Sequence, residues 1–213
     1  MFKGTLNSKY WNVYYKKKKL ISKPSNFAIF CKKKLKNYNG IVYDIGCGNG
    51  RDVIYFNRKR INCTGIDKSH QAILKSKKKF FPYKNNFIKK NFCNFFLKQI
   101  KGKKFSVYSR FSLHSINYII EKKLITILSK QKNLEYLFIE CRTLDDELYG
   151  VGKKVGKHEF ISDHYRRFID PPILLKKLKK KFKIVYFKKS RGFAKFKKED
   201  PCALRIIAKK KLI

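Results

Sequence analysis

Residues 41–52 read Ile41-Val42-Tyr43-Asp44-Ile45-Gly46-Cys47-Gly48-Asn49-Gly50-Arg51-Asp52, and the rest of the 213-residue chain can be placed around them. Ile41, Val42, Tyr43 and Ile45 are β-branched or aromatic, the composition of a short strand buried in a parallel sheet. Gly46, Gly48 and Gly50 follow at alternate positions. Side chains would obstruct so tight a turn, and glycine lets backbone approach a ligand closely. A helix beginning near Arg51 would point its free N–H groups into the same space.

The spacing separates two cofactor classes. Dinucleotide-binding loops use G-x-G-x-x-G, with the pyrophosphate on the helix N-terminus. Here the third glycine of that pattern would fall on Arg51. The pattern is instead D-x-G-x-G-x-G, starting at Asp44, and it resembles motif I of class I S-adenosylmethionine-dependent methyltransferases. In that motif the loop holds the methionyl end of a cofactor without phosphates. A tight strand–helix turn with no ligand is the alternative. A second signal weighs against that alternative: residues 62–69 read as the next strand ending in Asp67, 21 residues after Gly46. An acid at the tip of the second strand of a Rossmann-like sheet bonds ribose hydroxyls.

Length and composition bound the class. The chain is one domain, large enough to bury a full core, and 43% of it is hydrophobic. No apolar run of about 18 residues occurs, so no membrane span is expected. The opening residues lack the apolar core of a secretory signal. The formal charge of +40 would attract nucleic acid or an anionic membrane. However, only nine of the 54 basic residues are arginine. Lys, Phe, Tyr, Ile and Asn are abundant and Ala, Gly and Pro scarce, as an AT-rich genome dictates. Most lysines are therefore read as a solvated surface, a nucleic-acid face being the alternative, and the rare arginines carry more information. The six cysteines show no C-x-x-C or zinc spacing, which points to free thiols and a cytoplasmic location.

Along the chain, Tyr10, Trp11, Tyr14 and Tyr15 cluster ahead of the run Lys16–Lys19, and Ser25 is placed to cap an apolar helix through Phe27, Ala28, Phe30 and Cys31. Residues 1–38 are expected to form an N-terminal helical cap segment. It either covers the cofactor cleft or packs its aromatics on the sheet edge. Residues 39–213 form the main domain. Strands are expected at 41–45, 62–66, 86–89, 105–109 and 134–140, with helices near 50–59, 69–79 and 118–130. This alternation implies an α/β fold: a Rossmann-like, seven-stranded, mostly parallel sheet with helices on both faces. Strands at 182–188 and 203–208, after a short Leu/Lys helix preceded by Pro171-Pro172, supply a C-terminal antiparallel hairpin, similar to the closing pair of class I methyltransferases.

Ligands in such sheets bind at the carboxyl ends of the strands. The fourth strand ends in Tyr108-Ser109-Arg110-Phe111-Ser112-Leu113-His114. Arg110 suits bidentate clamping of a carboxylate or phosphate, and His114 has a reference pKa near 6.5, suited to accepting a proton. The alternative is that Arg110 pairs structurally with an acid and His114 caps a helix. Beyond the fifth strand, residues 141–169 are too long for an ordinary connection and are read as a substrate lid. It holds three of the nine arginines, Arg142, Arg166 and Arg167, with His164 and Tyr165. An ion network of these arginines with Asp145, Asp146 and Glu147, holding the lid itself, is the alternative.

Taken together, the Trp/Tyr segment, Pro24-Ser25-x-Phe27-Ala28, the glycine loop, Gly65-Ile66-Asp67-x-Ser69, Tyr108-Ser109-Arg110-Phe111-x-Leu113-His114 and His164-Tyr165-Arg166-Arg167-Phe168 resemble small bacterial class I methyltransferases of the tellurite-resistance and thiopurine methyltransferase type. The resemblance implies S-adenosylmethionine as cofactor, lined by Asp44, Gly46, Cys47, Gly48, Asn49 and Gly50. Asp67 would hold the ribose, with Lys68, Asn91 and Phe92 also in the cofactor site. Asn91 stands where the common pattern has Asp, its carbonyl oxygen still able to bond the adenine amino group. His114, His164, Tyr108 and Arg110 are the candidates for catalysis. Arg110, Arg142, Tyr165, Arg166 and Arg167 are the candidates for binding a small anionic acceptor, a sugar or a metabolite. An RNA or DNA methyltransferase is the second reading. No Asn-Pro-Pro-Tyr or Asp-Pro-Pro-Tyr follows the fourth strand, and Pro201-Cys202 lies near the closing hairpin rather than at a nucleophile position. A non-catalytic cofactor-binding module is the third, and would call for a degenerate glycine loop.

Overall fold

The computed structural model describes residues 2–17, 21–196 and 199–211. Two helices come first, α1 (Phe2–Lys17) and α2 (Asn26–Lys34), then β1 (Ile41–Ile45), α3 (Arg51–Arg58), β2 (Cys63–Asp67) and α4 (His70–Lys79). Next are β3 (Phe87–Lys89), α5 (Phe92–Phe95), β4 (Phe105–Arg110), α6 (Tyr118–Ser129) and β5 (Leu134–Arg142). Three short strands follow, β6 (Lys153–Gly156), β7 (Glu159–Ile161) and β8 (Tyr165–Arg167), before α7 (Pro171–Lys179), β9 (Phe182–Ser190) and β10 (Ala203–Lys210).

The main sheet has seven strands in the order β3-β2-β1-β4-β5-β10-β9. The first five run parallel, and β10 runs antiparallel to both β5 and β9. The fold class read from the sequence is the one observed. Strand order reverses between β1 and β4, so their carboxyl ends diverge into a crevice.

Both faces of the sheet are covered, as a parallel sheet requires. Tyr43, Ile45, Val107 and Ile139 pack with α6 and α7 on one face, and Val42, Tyr108 and Phe138 pack with α2 and α3 on the other. Each fully buried aromatic or branched side chain contributes about 1.5–3 kcal/mol of transfer free energy. Side-chain caps fix the helix starts: Ser25, Ser69, Asn117 and Asp170 each accept a backbone N–H from the first turn of α2, α4, α6 and α7. Such a cap contributes about 1 kcal/mol. By contrast, Gly50 precedes α3 in the left-handed region with no side-chain cap.

Three differences from the sequence reading matter for the site. First, β4 and β5 run on to Arg110 and Arg142, because Arg142 pairs with Ala203 of β10 and Arg110 with Glu140 of β5. Both arginines are therefore strand ends rather than loop residues. Second, residues 141–169 contain a separate antiparallel sheet, β6-β7-β8. Gly152, with φ of +91°, is required there, since a Cβ would lie 2.4 Å from the Ile161 carbonyl oxygen. Third, α1 ends at Lys17, and the last residues of the expected lysine run, Lys18 and Lys19, lie outside the described residues.

Candidate active site

A cavity of about 750 Å³ opens at the carboxyl ends of β1, β2 and β4. The glycine loop forms its floor. Gly46 and Cys47 both donate to the Ile66 carbonyl, tying the loop to β2. A Cβ on Gly46 would come within 2.6 Å of Ser112 Oγ, and one on Gly48 within 2.1 Å of Tyr15 Oη. Both glycines have positive φ, so close approach and backbone conformation each demand glycine there. At the tip of β2, Asp67 accepts from Gly48 N at 2.9 Å and Ser69 N at 2.8 Å. Burial raises its carboxyl above the usual range, and those two N–H bonds oppose the rise. Asp44 also lines the cavity, and no hydrogen bond reaches its carboxylate among the described residues. Burial and then the neighbouring Asp52 and Asp67 push its pKa well up, against Arg110 and Arg51.

Asp52 is the structural counterpart of Asp44. Its oxygens accept Ser25 N at 2.8 Å, Ser25 Oγ at 2.7 Å and Tyr108 Oη at 2.8 Å. Ser25 at the same time caps α2 through Ala28 N. One buried carboxylate therefore joins the N-terminal segment, α3 and β4 beneath the cleft.

The other half of the cavity is cationic. Arg110 Nε donates to Glu140 Oε1 at 3.0 Å, and the second oxygen of Glu140 takes Arg205 Nε at 2.7 Å. Arg205 is itself stacked over Phe27, Phe30 and Phe193. Next to Arg110 is Phe111, whose φ of +56° is unusual for a bulky residue. Its ring lies under the Arg110 guanidinium at 4.5 Å and the Arg142 guanidinium at 5.7 Å, with His114 at 5.1 Å. His114 is buried, and its Nδ1 has no hydrogen-bond partner among the described residues. Burial, followed by Arg142, His164, Arg166 and Arg110, pushes its pKa well below 6.5, so the ring is neutral at pH 7.

The insertion and α1 close the cavity from above. His164 stacks on Tyr10 at 4.6 Å and meets Trp11 edge-on at 4.9 Å. Its Nδ1 lies 3.0 Å from Asp163 Oδ2 without hydrogen-bond alignment. Tyr10 Oη donates to Asp163 at 3.1 Å. Arg166 also holds Asp163, and although burial raises that carboxyl, Arg166 and His164 bring it well below its usual range. At the other end, α1 meets α4, where Asn12 accepts from Ser69 Oγ and Gln71 N. Of the aromatic segment, Trp11, Tyr14 and Tyr15 line the cavity.

The structure brings most of the expected residues together. Asp44, Gly46, Cys47, Gly48, Asn49, Asp67, Lys68, Asn91, Phe92, Arg110, His114, Arg142, His164 and Arg166 all line the one cavity, whereas Gly50, Tyr108, Tyr165 and Arg167 do not. Gly50 faces Phe87 instead. Tyr108 is fully buried beneath the cleft, its hydroxyl bonded to Asp52 and Ser25. Arg167 turns away from the cleft, binding Glu121 of α6 and the carbonyls of Leu113 and Ile116 ahead of that helix. Tyr165 shares that buried strand face, and burial followed by Glu159 raises its phenol. Asn91 lines the cavity, but its Oδ1 accepts Cys93 N and Asn94 N as the cap of α5. The acceptor expected for adenine is thus engaged, and the amide N–H₂ makes no hydrogen bond among the described residues. Arg142 is held by Asp146 at 2.9 and 3.0 Å and by Glu199. Here the ion-network alternative describes the geometry, with Lys189 on Asp145 as its outer part.

Four contributors escaped the sequence reading: Arg51, Phe111, Ser112 and the β9–β10 connection around Lys195, Phe196 and Glu199. Arg51 had a signal, since it directly follows the last loop glycine. The connection had none, because only the antiparallel pairing of β10 with β5 carries it to the cleft.

No protein-family model matches the sequence, and no curated protein matches it significantly. Solved structures do match. 1,6-Didemethyltoxoflavin-N1-methyltransferase of Burkholderia thailandensis, with 1,6-didemethyltoxoflavin and S-adenosylhomocysteine bound, aligns at a TM-score of 0.70 and 15% identity, over 98% of this chain and 88% of that one. A SAM-dependent methyltransferase of Methanosarcina mazei gives 0.69 at 17% identity, over 84% and 98%. Magnesium protoporphyrin IX methyltransferase of Synechocystis with bound SAM gives 0.59 at 15% identity, over 86% and 76%. The chain therefore has the Rossmann-like α/β fold in which these methyltransferases are built. At such identities the likeness is one of fold, and the chemistry has to be argued from the cleft.

Proposed function

We propose that the protein is an S-adenosylmethionine-dependent methyltransferase acting on a small anionic acceptor. The observation that carries this reading is the division of one cavity. Its floor is a glycine loop flanked by Asp44 and Asp67, and its far side holds arginines and neutral histidines. The residues fit the cofactor. Gly46 and Gly48 leave no space for a Cβ, so backbone is presented directly, and Asp67 retains acceptor capacity for ribose hydroxyls. Phe92 and the amide end of Asn91 suit the adenine.

The cofactor, when bound, supplies an electrophilic methyl group on a sulfonium. The chain has to align an acceptor with it, exclude water and, for a hydroxyl acceptor, take a proton. Alignment falls to Arg110 and Arg166, with Phe111 as a platform between guanidinium groups. Water exclusion falls to α1 and the β6–β8 insertion, joined through Tyr10, Asp163 and His164. His114 is the favoured base: it is neutral, lines the cavity, and its Nδ1 is unpaired among the described residues. His164 is also neutral, since burial and Arg166 lower its pKa, but it is wedged against Tyr10 and Trp11. A carboxylate or thiolate acceptor would need no base.

The tellurite-resistance and thiopurine-type subgroup remains a resemblance of motifs. The nucleic-acid reading is weaker, because a groove lined by eleven lysines lies at the amino ends of β4 and β5, the opposite edge from the cleft. The test is calorimetry of the protein with S-adenosylmethionine and S-adenosylhomocysteine, repeated with Asp67→Ala. Binding lost in the variant is the expected result, and no binding to the wild type would overturn the proposal.

A further inference from the structure

The two acids that hold Arg142 are not equivalent. Asp146 is buried and meets Nη1 through both oxygens, at 2.9 and 3.0 Å. That pair already balances the guanidinium charge. Glu199 adds a second carboxylate, on Nη2, from a side chain that is 57% exposed. It belongs to the β9–β10 connection, in a turn closed by the reciprocal backbone bonds of Phe196 and Glu199. A redundant ion pair with one partner in water contributes little to stability. The fold therefore gains little from Glu199, yet its side chain lines the cleft.

The surroundings of that carboxylate are open to a ligand. Arg110 and Arg142 both contact the Phe111 ring, their guanidinium carbons 4.5 and 5.7 Å from its centroid. Arg110 spends only Nε, on Glu140, and its terminal nitrogens make no hydrogen bond among the described residues. Its side chain is nevertheless only 19% exposed. The buried ring of His114, 5.1 Å from Phe111, also lacks a partner at Nδ1 among the described residues. Polar atoms withdrawn from water and left unmatched are costly, and a ligand that meets them removes the cost.

We propose that Glu199 is a built-in stand-in for the methyl acceptor, and that the acceptor is a monocarboxylic acid. Its carboxylate displaces Glu199 from Arg142 and takes the unused nitrogens of Arg110. The charge balance favours a carboxylate over a phosphate. Arg142, Asp146 and Glu199 together carry one net negative charge. Exchanging Glu199 for another carboxylate preserves the balance at the guanidinium, whereas a phosphate dianion adds a further negative charge beside Asp146. The planar fork of arginine also matches the plane of a carboxylate. The inference rests on the methyltransferase reading and narrows its acceptor.

The experiment follows benzoate binding to the S-adenosylhomocysteine-saturated protein by ligand-observed NMR at fixed ionic strength, with inorganic phosphate as competitor. Glu199→Ala removes the stand-in and should tighten benzoate about 2- to 5-fold, the affinity that an occupied site forfeits. Glu147→Gln removes the same charge from an exposed residue next to Asp146, and should change the affinity less than about 1.5-fold. Arg110→Gln should weaken benzoate about 10-fold. Phosphate should displace it only at concentrations above benzoate's own. Affinity that Glu199→Ala leaves unchanged or lowers overturns the proposal, as does an equal response to Glu147→Gln or benzoate that binds neither wild type nor Glu199→Ala. Phosphate that competes as well as benzoate overturns the carboxylate class. Repeating the titration without S-adenosylhomocysteine keeps two failures apart. A protein that does not bind S-adenosylhomocysteine but shows the benzoate pattern loses the methyltransferase reading and keeps the carboxylate seat. Thermal melting is the control. Asp146 still holds Arg142 in Glu199→Ala, so the midpoint should stay within about 2 °C of wild type. A larger drop assigns Glu199 a structural role and overturns the stand-in.

Discussion

Two basic concavities among the described residues are built differently. The cleft at the carboxyl edge of the sheet is lined by four of the nine arginines but only three lysines, Lys23, Lys68 and Lys195. The groove of about 1160 Å³ between α6, α7 and the end of β10 is lined by eleven lysines and no arginine. In the cleft the guanidinium groups are part-buried and directed by acids or aromatic rings. In the groove the ammonium groups mostly project into solvent, Lys177 on Glu121, Lys210 on the Ser129 carbonyl and Lys211 on the Lys179 carbonyl being exceptions. A lysine-biased composition scatters positive charge wherever water is. Placing an arginine beside a carboxylate inside a fold requires a specific partner, and there the rare residue is informative.

The largest effect should come from the arginine that the insertion spends on structure. Arg167 and Lys177 both hold Glu121, a buried acid of α6, and Arg167 also binds two carbonyls. Arg167→Ala breaks a buried pair and orphans those carbonyls, a loss of about 3–5 kcal/mol. For a chain of this length that lowers the melting midpoint by roughly 10 °C. Arg166→Ala, whose partner Asp163 is exposed, should shift it by no more than about 2 °C. Equal shifts in the two variants would erase the distinction between structural and cleft arginines.

That pair also shows what the sequence could and could not reveal. The alternation of apolar strands and helices, the glycine loop and the acid at position 67 were readable, because each rests on local periodicity or on backbone conformation. Tyr165-Arg166-Arg167 was taken as loop and all three residues were sent to the substrate. As the strand β8 they alternate, with Tyr165 and Arg167 buried on one face and Arg166 turned to the cleft. Three residues are too few to display a period of two. Asp52 was similarly opaque, since its partners Ser25 and Tyr108 lie 27 and 56 residues away. Asn91 was read for its chemistry, but it stands just before a four-residue helix that needed a cap.

On the ligand side the comparison predicts that acids, as well as arginines, decide affinity in the cleft. Asp67→Asn keeps the shape but leaves the buried side chain a poorer acceptor for hydroxyls. Losing one or two charge-assisted bonds of about 1.5–3 kcal/mol should weaken S-adenosylhomocysteine roughly 10- to 100-fold, measured by calorimetry. Retained affinity would move the ribose contact elsewhere.

A smaller effect separates His114 from the histidines of an exposed surface. Its folded pKa is depressed, so below about pH 6.5 the unfolded chain takes up a proton that the folded chain refuses. The stability it contributes is complete above that value and is lost as pH falls from there toward the folded pKa. Asp44, with a raised folded pKa, has the opposite sign, so the informative quantity is wild type minus His114→Asn. That difference should slope by at most about 1.4 kcal/mol per pH unit, or roughly 3–5 °C in melting midpoint. Parallel melting curves between pH 7 and 5 would mean that His114 titrates normally and is not the shielded neutral base of the cleft.

The smallest effects should come from the groove, and there a small effect is the informative result. Lys122, Lys132, Lys176 and Lys180 are exposed residues lining it. Replacing all four with glutamine should move the melting midpoint by no more than about 2 °C and leave S-adenosylhomocysteine affinity unaltered, because no fold contact or cleft contact is lost. What should change is adhesion to duplex DNA. Each phosphate neutralised by a lysine adds about 0.9 to the slope of log affinity against log salt, so the quadruple variant should show a slope shallower by up to about 4. In a groove that only collects solvated charge, the remaining affinity disappears by roughly 200 mM salt in wild type and variant alike. Affinity that survives there, depends on base sequence and falls with these lysines would give the groove a partner of its own. The lysine excess would then be recognition rather than composition, and the contrast between the two concavities would have to be redrawn.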